Sequence, residues 1–323
     1  MPKSLVNYKV AKYFPLANGQ YEVKPGLFSL GEDFGNFNQD KLIFQLDQEY
    51  THYRKNKMNG HNDQLSRYFC FNRFPEFHQR YITQHLIDTL CHEHPDIFNL
   101  SKNNNKLLLK NKLTKDKIIL STDYQLIESP ENPYTNSIDA VMMQVQEDMA
   151  IISEDDHISC LHLMAPNFWS AVDKIGKSFS DIHKDVAGID TIIKNSKAII
   201  QAMIYKGPYV RFAWGLCSDS NLNHYNSQAN PQTNLFPTES GRNFETQHPE
   251  LFLRVERQTV TGLPEIKSAL FTIRTYLYNI IDLNKNEIQC VINGINSMTD
   301  KQLEYKGLKT SKSSIIKWLS SRL

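Results

Sequence analysis

The stretch LFLRVERQTVTGLPEIKSALFTIRTYLYNI, residues 251–280, reads as two β-strands joined by a tight connection. In its first half Leu251, Leu253, Val255 and Arg257 alternate with Phe252, Arg254, Glu256 and Gln258. In its second half Phe271, Ile273, Thr275 and Leu277 alternate with Thr272, Arg274 and Tyr276. Period-two alternation marks strand, because successive side chains point to opposite faces. Gly262-Leu263-Pro264 interrupts the run, so the pattern predicts antiparallel strands over 250–261 and 268–279. Upstream, PYVRFAWGLC at 208–217 alternates in the same way and is expected beside them.

These strands are expected to have an apolar face and a polar one. The polar face is read as carrying Arg211, Arg254, Glu256, Gln258, Arg274 and Tyr276. Three arginines without a lysine suit planar, bidentate recognition of carboxylates or phosphates. Two outcomes stay open: a solvated face laced with ion pairs, or, under covering helices, a buried site that needs a bound anion.

Working outward, the spacing predicts helices over 41–58, 76–94, 137–150 and 188–204, and a strand over 157–168. Segment 101–117 reads as an exposed loop or hairpin, 1–40 as irregular or short-strand structure, and 218–249 as a long polar connection. Short helices are expected over 286–322, with Ile315, Ile316 and Leu319 packing back on the core. The sum is an α+β fold in a single domain over 1–323: an N-terminal extension over 1–100, a core over 118–285 and C-terminal helices over 286–323.

Thirty-six basic residues against 35 acidic ones give a net charge of +1, so nothing in the charge argues for nucleic acid or an anionic membrane. No run approaches the roughly 18 apolar residues of a membrane span. The five cysteines form no CxxC pair, and no apolar leader follows Met1; together these predict a reducing cytoplasm. The sequence has no HExxH, P-loop, GxGxxG or GxSxG motif.

Residues 251–280 closely resemble the signature of the haem-dependent oxidative N-demethylase family. Other segments fall in the family's order: FQLDQEY (44–50), VQEDMAII (145–152), LHLMAPNFW (161–169), KIGKSFSDIHKDVAG (174–188) and VRFAWGL (210–216). The chain departs from the family pattern at Asp185 and Ala187, where prolines are usual, and at Ala213, often asparagine. The resemblance implies a haem-binding PAS-like fold, an antiparallel sheet flanked by helices. It implies an iron-centred oxidation by dioxygen that removes a methyl group from a small secondary amine and releases formaldehyde. Electrons would come from NADPH through flavin and iron–sulfur groups on separate reductase subunits. The haem is expected to be b-type, because no CxxCH is present.

On that resemblance His183 is the expected iron ligand, with His162, inside a strand, as its rival. Arg254, Arg257 and Arg274 are candidates for the haem propionates or the oxygen-activating pocket. The catalytic candidates are Glu256, to attract a cationic amine or relay protons, Arg274, and Tyr276, to hydrogen-bond dioxygen or substrate. Trp169 and Trp214 are expected to wall the pocket. Two other functions fit the same residues: a haem or small-ligand sensing module without turnover, and a structural subunit with an empty pocket.

Overall fold

The computed structural model describes residues 8–225 and 242–323. In chain order its elements are β1 (Phe28–Ser29), α1 (Tyr50–Gln64), β2 (Phe69–Phe71), α2 (Glu76–Glu93), β3 (Phe98–Asn103), β4 (Lys106–Asn111), β5 (Lys117–Ser121), β6 (Leu126–Glu128), α3 (Ser137–Met142), β7 (Asp148–Ser153) and β8 (Ile158–His162). There follow α4 (Ala171–Lys174), α5 (Phe179–His183), α6 (Asp190–Lys194), α7 (Ser196–Tyr205), β9 (Tyr209–Cys217), β10 (Phe252–Leu263), β11 (Ser268–Asn279), α8 (Lys285–Ser297), α9 (Asp300–Tyr305) and α10 (Lys312–Ser320). The fold is α+β. Among the described residues one antiparallel sheet has the order β1-β9-β10-β11-β7-β8-β2, and a smaller one has the order β3-β4-β5-β6. No helix of the described residues is long and apolar enough to cross a membrane.

The three strands expected from alternation are neighbours, β9, β10 and β11. The run over 101–117 takes the hairpin alternative, as β3 and β4. Residues 226–241 of the long polar connection, and 1–7, lie outside the described residues.

Two expected helices are corrected. Over 41–58 the regular helix begins only at Tyr50. The backbone before it is claimed by buried side chains: Ile43 and Phe44 donate their N–H groups to the Glu93 carboxylate, Gln45 to Glu147 and Asp47 to the Gln146 amide oxygen. Donors captured this way cannot close helical turns. Over 137–150 the helix stops at Met142 and the chain re-enters the sheet as β7 at Asp148. Asp148 accepts the N–H groups of Met164 and Ala165, which ties β7 to the segment after β8.

The large sheet has a layer on each face. On one face α1, α2 and the small sheet cover Met149, Ile151, Cys160 and Leu270, while α8, α9 and α10 cover Trp214, Leu216, Leu253, Val255 and Tyr276. On the other face the connection α4–α7 packs against Ala150, Ile152, Leu161, Val260, Ala269 and Phe271. Gly262 permits the closest approach of α7: a Cβ there would sit 2.1 Å from the Ile204 carbonyl oxygen. Any other residue would push α7 off β10.

Candidate functional site

Between the sheet and α4–α7 the packing is incomplete. A cavity of about 1230 Å³ opens there and continues round the outer edge of β9 to the N-terminal segment. That exceeds the roughly 300–1,000 Å³ of most small-molecule sites, leaving room for a large planar ligand and a small second molecule. The floor is apolar toward β7 and β8, at Ala150, Ile152 and Leu161, and polar toward β9 and β10, at Arg211, Arg254, Glu256 and Gln258. Between the arginines β9 presents only Ala213 and Gly215, and a Cβ built on Gly215 meets nothing within 4 Å. A flat slot therefore lies beside the charged row.

The charged row is one register pattern. Arg211 stands opposite Gln258, Ala213 opposite Glu256 and Gly215 opposite Arg254. Glu256 takes the Gln258 amide at 2.9 Å and lies 3.7 Å from Arg254 Nε. The terminal nitrogens of Arg254 are committed to the Leu222 and Ala165 carbonyls and the Thr275 hydroxyl, at 3.0, 2.7 and 3.3 Å. The Nε atom of Arg211 is buried without a partner, and burial pulls its guanidinium below the usual arginine range against the pull of Glu256. An unmet buried donor costs roughly 1–3 kcal/mol, a deficit that a bound acceptor removes.

His183 ends α5, a helix of one turn whose N-cap Ser178 accepts the Asp181 N–H. Its Nδ1 lies 2.8 Å from the Phe179 carbonyl oxygen. That oxygen can only accept, so Nδ1 carries the hydrogen and Nε2 keeps the ring's lone pair. Burial holds the imidazole below its usual pKa and hence neutral; the Phe179 carbonyl opposes this, and Arg211 and Lys174 add to it. A neutral imidazole oriented by a carbonyl is the form that ligates metal. Among the described residues His183 is the one histidine on the cavity wall. Its rival His162 pairs with Met149 and Phe69 on the opposite face, 3.3 Å from Asp139.

Trp169 borders the cavity, packed near Ile182 and Phe271. Trp214 also borders it, but its indole belongs to the core of the opposite face, edge-on to Tyr21 at 5.7 Å. Arg274 and Tyr276 correct the sequence reading. Arg274 pairs with Arg257 and Tyr276 with Val255, so both lie on the face away from Arg254 and Glu256. Alternation tells which residues of one strand share a face, but not how neighbouring strands align, and a one-residue slip inverts the assignment. Neither residue, nor Arg257, lines the cavity.

Their surroundings are closed. Arg274 pairs with Asp47 at 2.8 Å and lies over the Tyr53 ring at 3.7 Å. Tyr276 donates to Gln45. Arg257 donates to the Leu42 carbonyl at 2.7 Å and to that of Asp40 at 3.3 Å.

Two cavity residues went unnoticed in the sequence. Lys306, just past α9, reaches round the edge of β9 and donates to the Trp214 carbonyl at 2.6 Å. Phe168 sits at the rim with φ of +61°, its ring parallel to His224 at 4.9 Å and under the Arg242 guanidinium at 3.8 Å. Neither has a local signal: Lys306 follows a short amphipathic helix, and the Phe168 stack joins three distant segments.

The protein family described as haem-dependent oxidative N-demethylase, alpha subunit-like, matches residues 36–316, a span that contains His183, Arg211, Arg254, Glu256 and Lys306.

Proposed function

The chain belongs to the haem-dependent oxidative N-demethylase, alpha subunit-like family, and from that premise we propose that its cavity holds a b-type haem for oxidative N-demethylation of a small secondary amine. The sheet with its helical cover is read as a PAS-like haem pocket acting in the cytoplasm. The observation that carries the proposal is His183, a neutral imidazole on the cavity wall with Nδ1–H fixed on the Phe179 carbonyl and Nε2 left as a donor atom. The slot at Ala213 and Gly215 and the unmet Nε of Arg211 support the same ligand, which is flat and carries acidic groups.

Bound haem supplies the redox iron that activates dioxygen. The chain supplies the rest. His183 holds the iron, and Phe179 orients His183 through its carbonyl. Trp169, Phe271 and Ile273 keep water from the reacting methyl group. Glu256, the carboxylate on the polar floor, holds or passes a proton at its Oε atoms.

In the reaction one C–H bond of the N-methyl group becomes C–OH and the C–N bond then breaks. One oxygen atom leaves in formaldehyde and the other in water, with two electrons and two protons consumed. The electrons are taken to come from partner subunits, whose existence "alpha subunit" in the family's name suggests; that these carry NADPH-linked flavin and iron–sulfur groups is part of the proposal. With haem, a chemical reductant and dioxygen, the protein is expected to form one formaldehyde per small secondary N-methylamine consumed. A haem-loaded protein that consumes dioxygen but forms no formaldehyde from such amines would instead support a sensing module.

A further inference from the structure

The acids and bases around the cavity do not balance, and the imbalance is local. At the outer end Lys12 pairs with Glu287 at 2.6 Å and Lys24 with Glu22 at 2.5 Å. Lys174 has Asp185 as an opposing charge, and Arg254 has Glu256. Arg242 is engaged with the Phe168 ring. Two cations remain without a carboxylate of their own. Arg211 makes no hydrogen bond or ion pair among the described residues, and its Nε is buried. Lys306 uses one of its three N–H groups on the Trp214 carbonyl and lies 5.4 and 5.7 Å from the rings of Tyr21 and Tyr305, contacts that leave two of its N–H groups without a hydrogen bond among the described residues. Glu256 is the acid whose charge acts on both, and it is already shared by Arg254 and Gln258.

The two sit on the same strand edge from opposite sides. Arg211 projects from the cavity face of β9, opposite Gln258, while Lys306 reaches the carbonyl of Trp214, three residues along that strand. Ala213 lies between these two points on the strand, and the space over Gly215, just beyond them, is open. Burial draws Lys306 down to about 8, with Glu256 opposing and Arg242 and Arg211 adding to the effect. A second anion beside it would reverse that shift. Such a pair of cations, each with donors to spare and both lining the cavity, suits a ligand with two acidic groups on one edge.

We propose that Arg211 and Lys306 form a dicarboxylate subsite that receives the two propionate groups of the haem, one carboxylate to each cation. The subsite assignment rests on the haem reading above. It moves the propionate role away from Arg257 and Arg274, which lie on the other face and outside the cavity. It also makes Glu256 the counter-ion that keeps Arg254 in place rather than the anchor for a cationic amine.

The test is a titration of haem-free protein with haem and with haem dimethyl ester, in which both carboxylates are methylated, followed by the Soret band. Wild type is expected to bind haem at least about tenfold more tightly than the ester, since a charge-assisted hydrogen bond is worth about 1.5–3 kcal/mol. Arg211→Met combined with Lys306→Met should bring the two ligands within about threefold of each other by weakening haem alone. Arg211→Lys with Lys306→Arg should restore the preference, which separates lost charge from lost fold. Equal binding of haem and ester by wild type overturns the subsite while leaving the haem reading intact. Failure of wild type to bind either ligand overturns both. Stabilisation of wild type, but not of the double Met variant, by succinate in a protein that ignores haem would assign the site to a free dicarboxylate and overturn the proposal.

Discussion

The two faces of the β9–β10–β11 sheet carry the same kinds of residue and use them in opposite ways. Arg257, Arg274 and Tyr276 on one face are enclosed by Asp47, Gln45 and backbone carbonyls. Arg211, Arg254, Glu256 and Gln258 on the other face border open space, and a buried donor of Arg211 is left unmet. The first arrangement is packed shut without a ligand, although Arg257 Nη1 and Arg274 Nε are themselves buried without a partner, and it serves the fold. The second is incomplete until something enters. Arginine on a strand face therefore says little by itself, and single unmet donors occur on both faces; what distinguishes the site is that Arg211 borders open space and makes no hydrogen bond among the described residues, whereas Arg257 and Arg274 are held by carbonyls and by Asp47.

Arginine-to-methionine substitution on each face should separate the two most strongly. Arg274→Met leaves the Asp47 carboxylate buried without its cation, and a loss of about 3–5 kcal/mol in denaturant unfolding is expected. Arg211→Met removes a buried cation that has no partner of its own, so the haem-free protein should keep or gain stability. Equal losses for the two variants would erase the contrast.

The alternation that places β9, β10 and β11 side by side is legible in the sequence, and so is the candidacy of His183. The alignment of β11 against β10 is not, because it depends on the turn through Pro264–Ile266 and on what each face packs against. The missing start of the first helix is not legible either. It depends on Glu93 and Glu147, which lie about 50 and 100 residues from the N–H groups they capture. Lys306 becomes part of the cavity only because β1 pairs with Tyr209 and Val210 alone, leaving the β9 edge open at Trp214.

The closed face should also show a pH dependence that the cavity face does not share. Burial pushes Glu93 from 4.5 up to about 7, against the two backbone N–H groups it accepts. For an acid raised on folding, the favourable contribution is fully present below its unfolded value and disappears as pH rises through the folded one. Stability should therefore fall between pH 4.5 and about 7, by at most about 3 kcal/mol from this group. Glu147, also raised by burial, acts in the same direction. Chemical denaturation across that range should give a shallower slope for Glu93→Gln; an unchanged slope would remove Glu93 from the account.

The central claim is that the open face is a haem site closed on one side by His183. The direct measurement is the absorption spectrum of wild type and of His183→Ala, each purified after expression with haem supply. Wild type is expected to show a full Soret band, and the variant a loss of haem or a changed ferric spectrum, partly restored by added imidazole. Full haem occupancy with an unchanged ferric spectrum in His183→Ala would contradict the account.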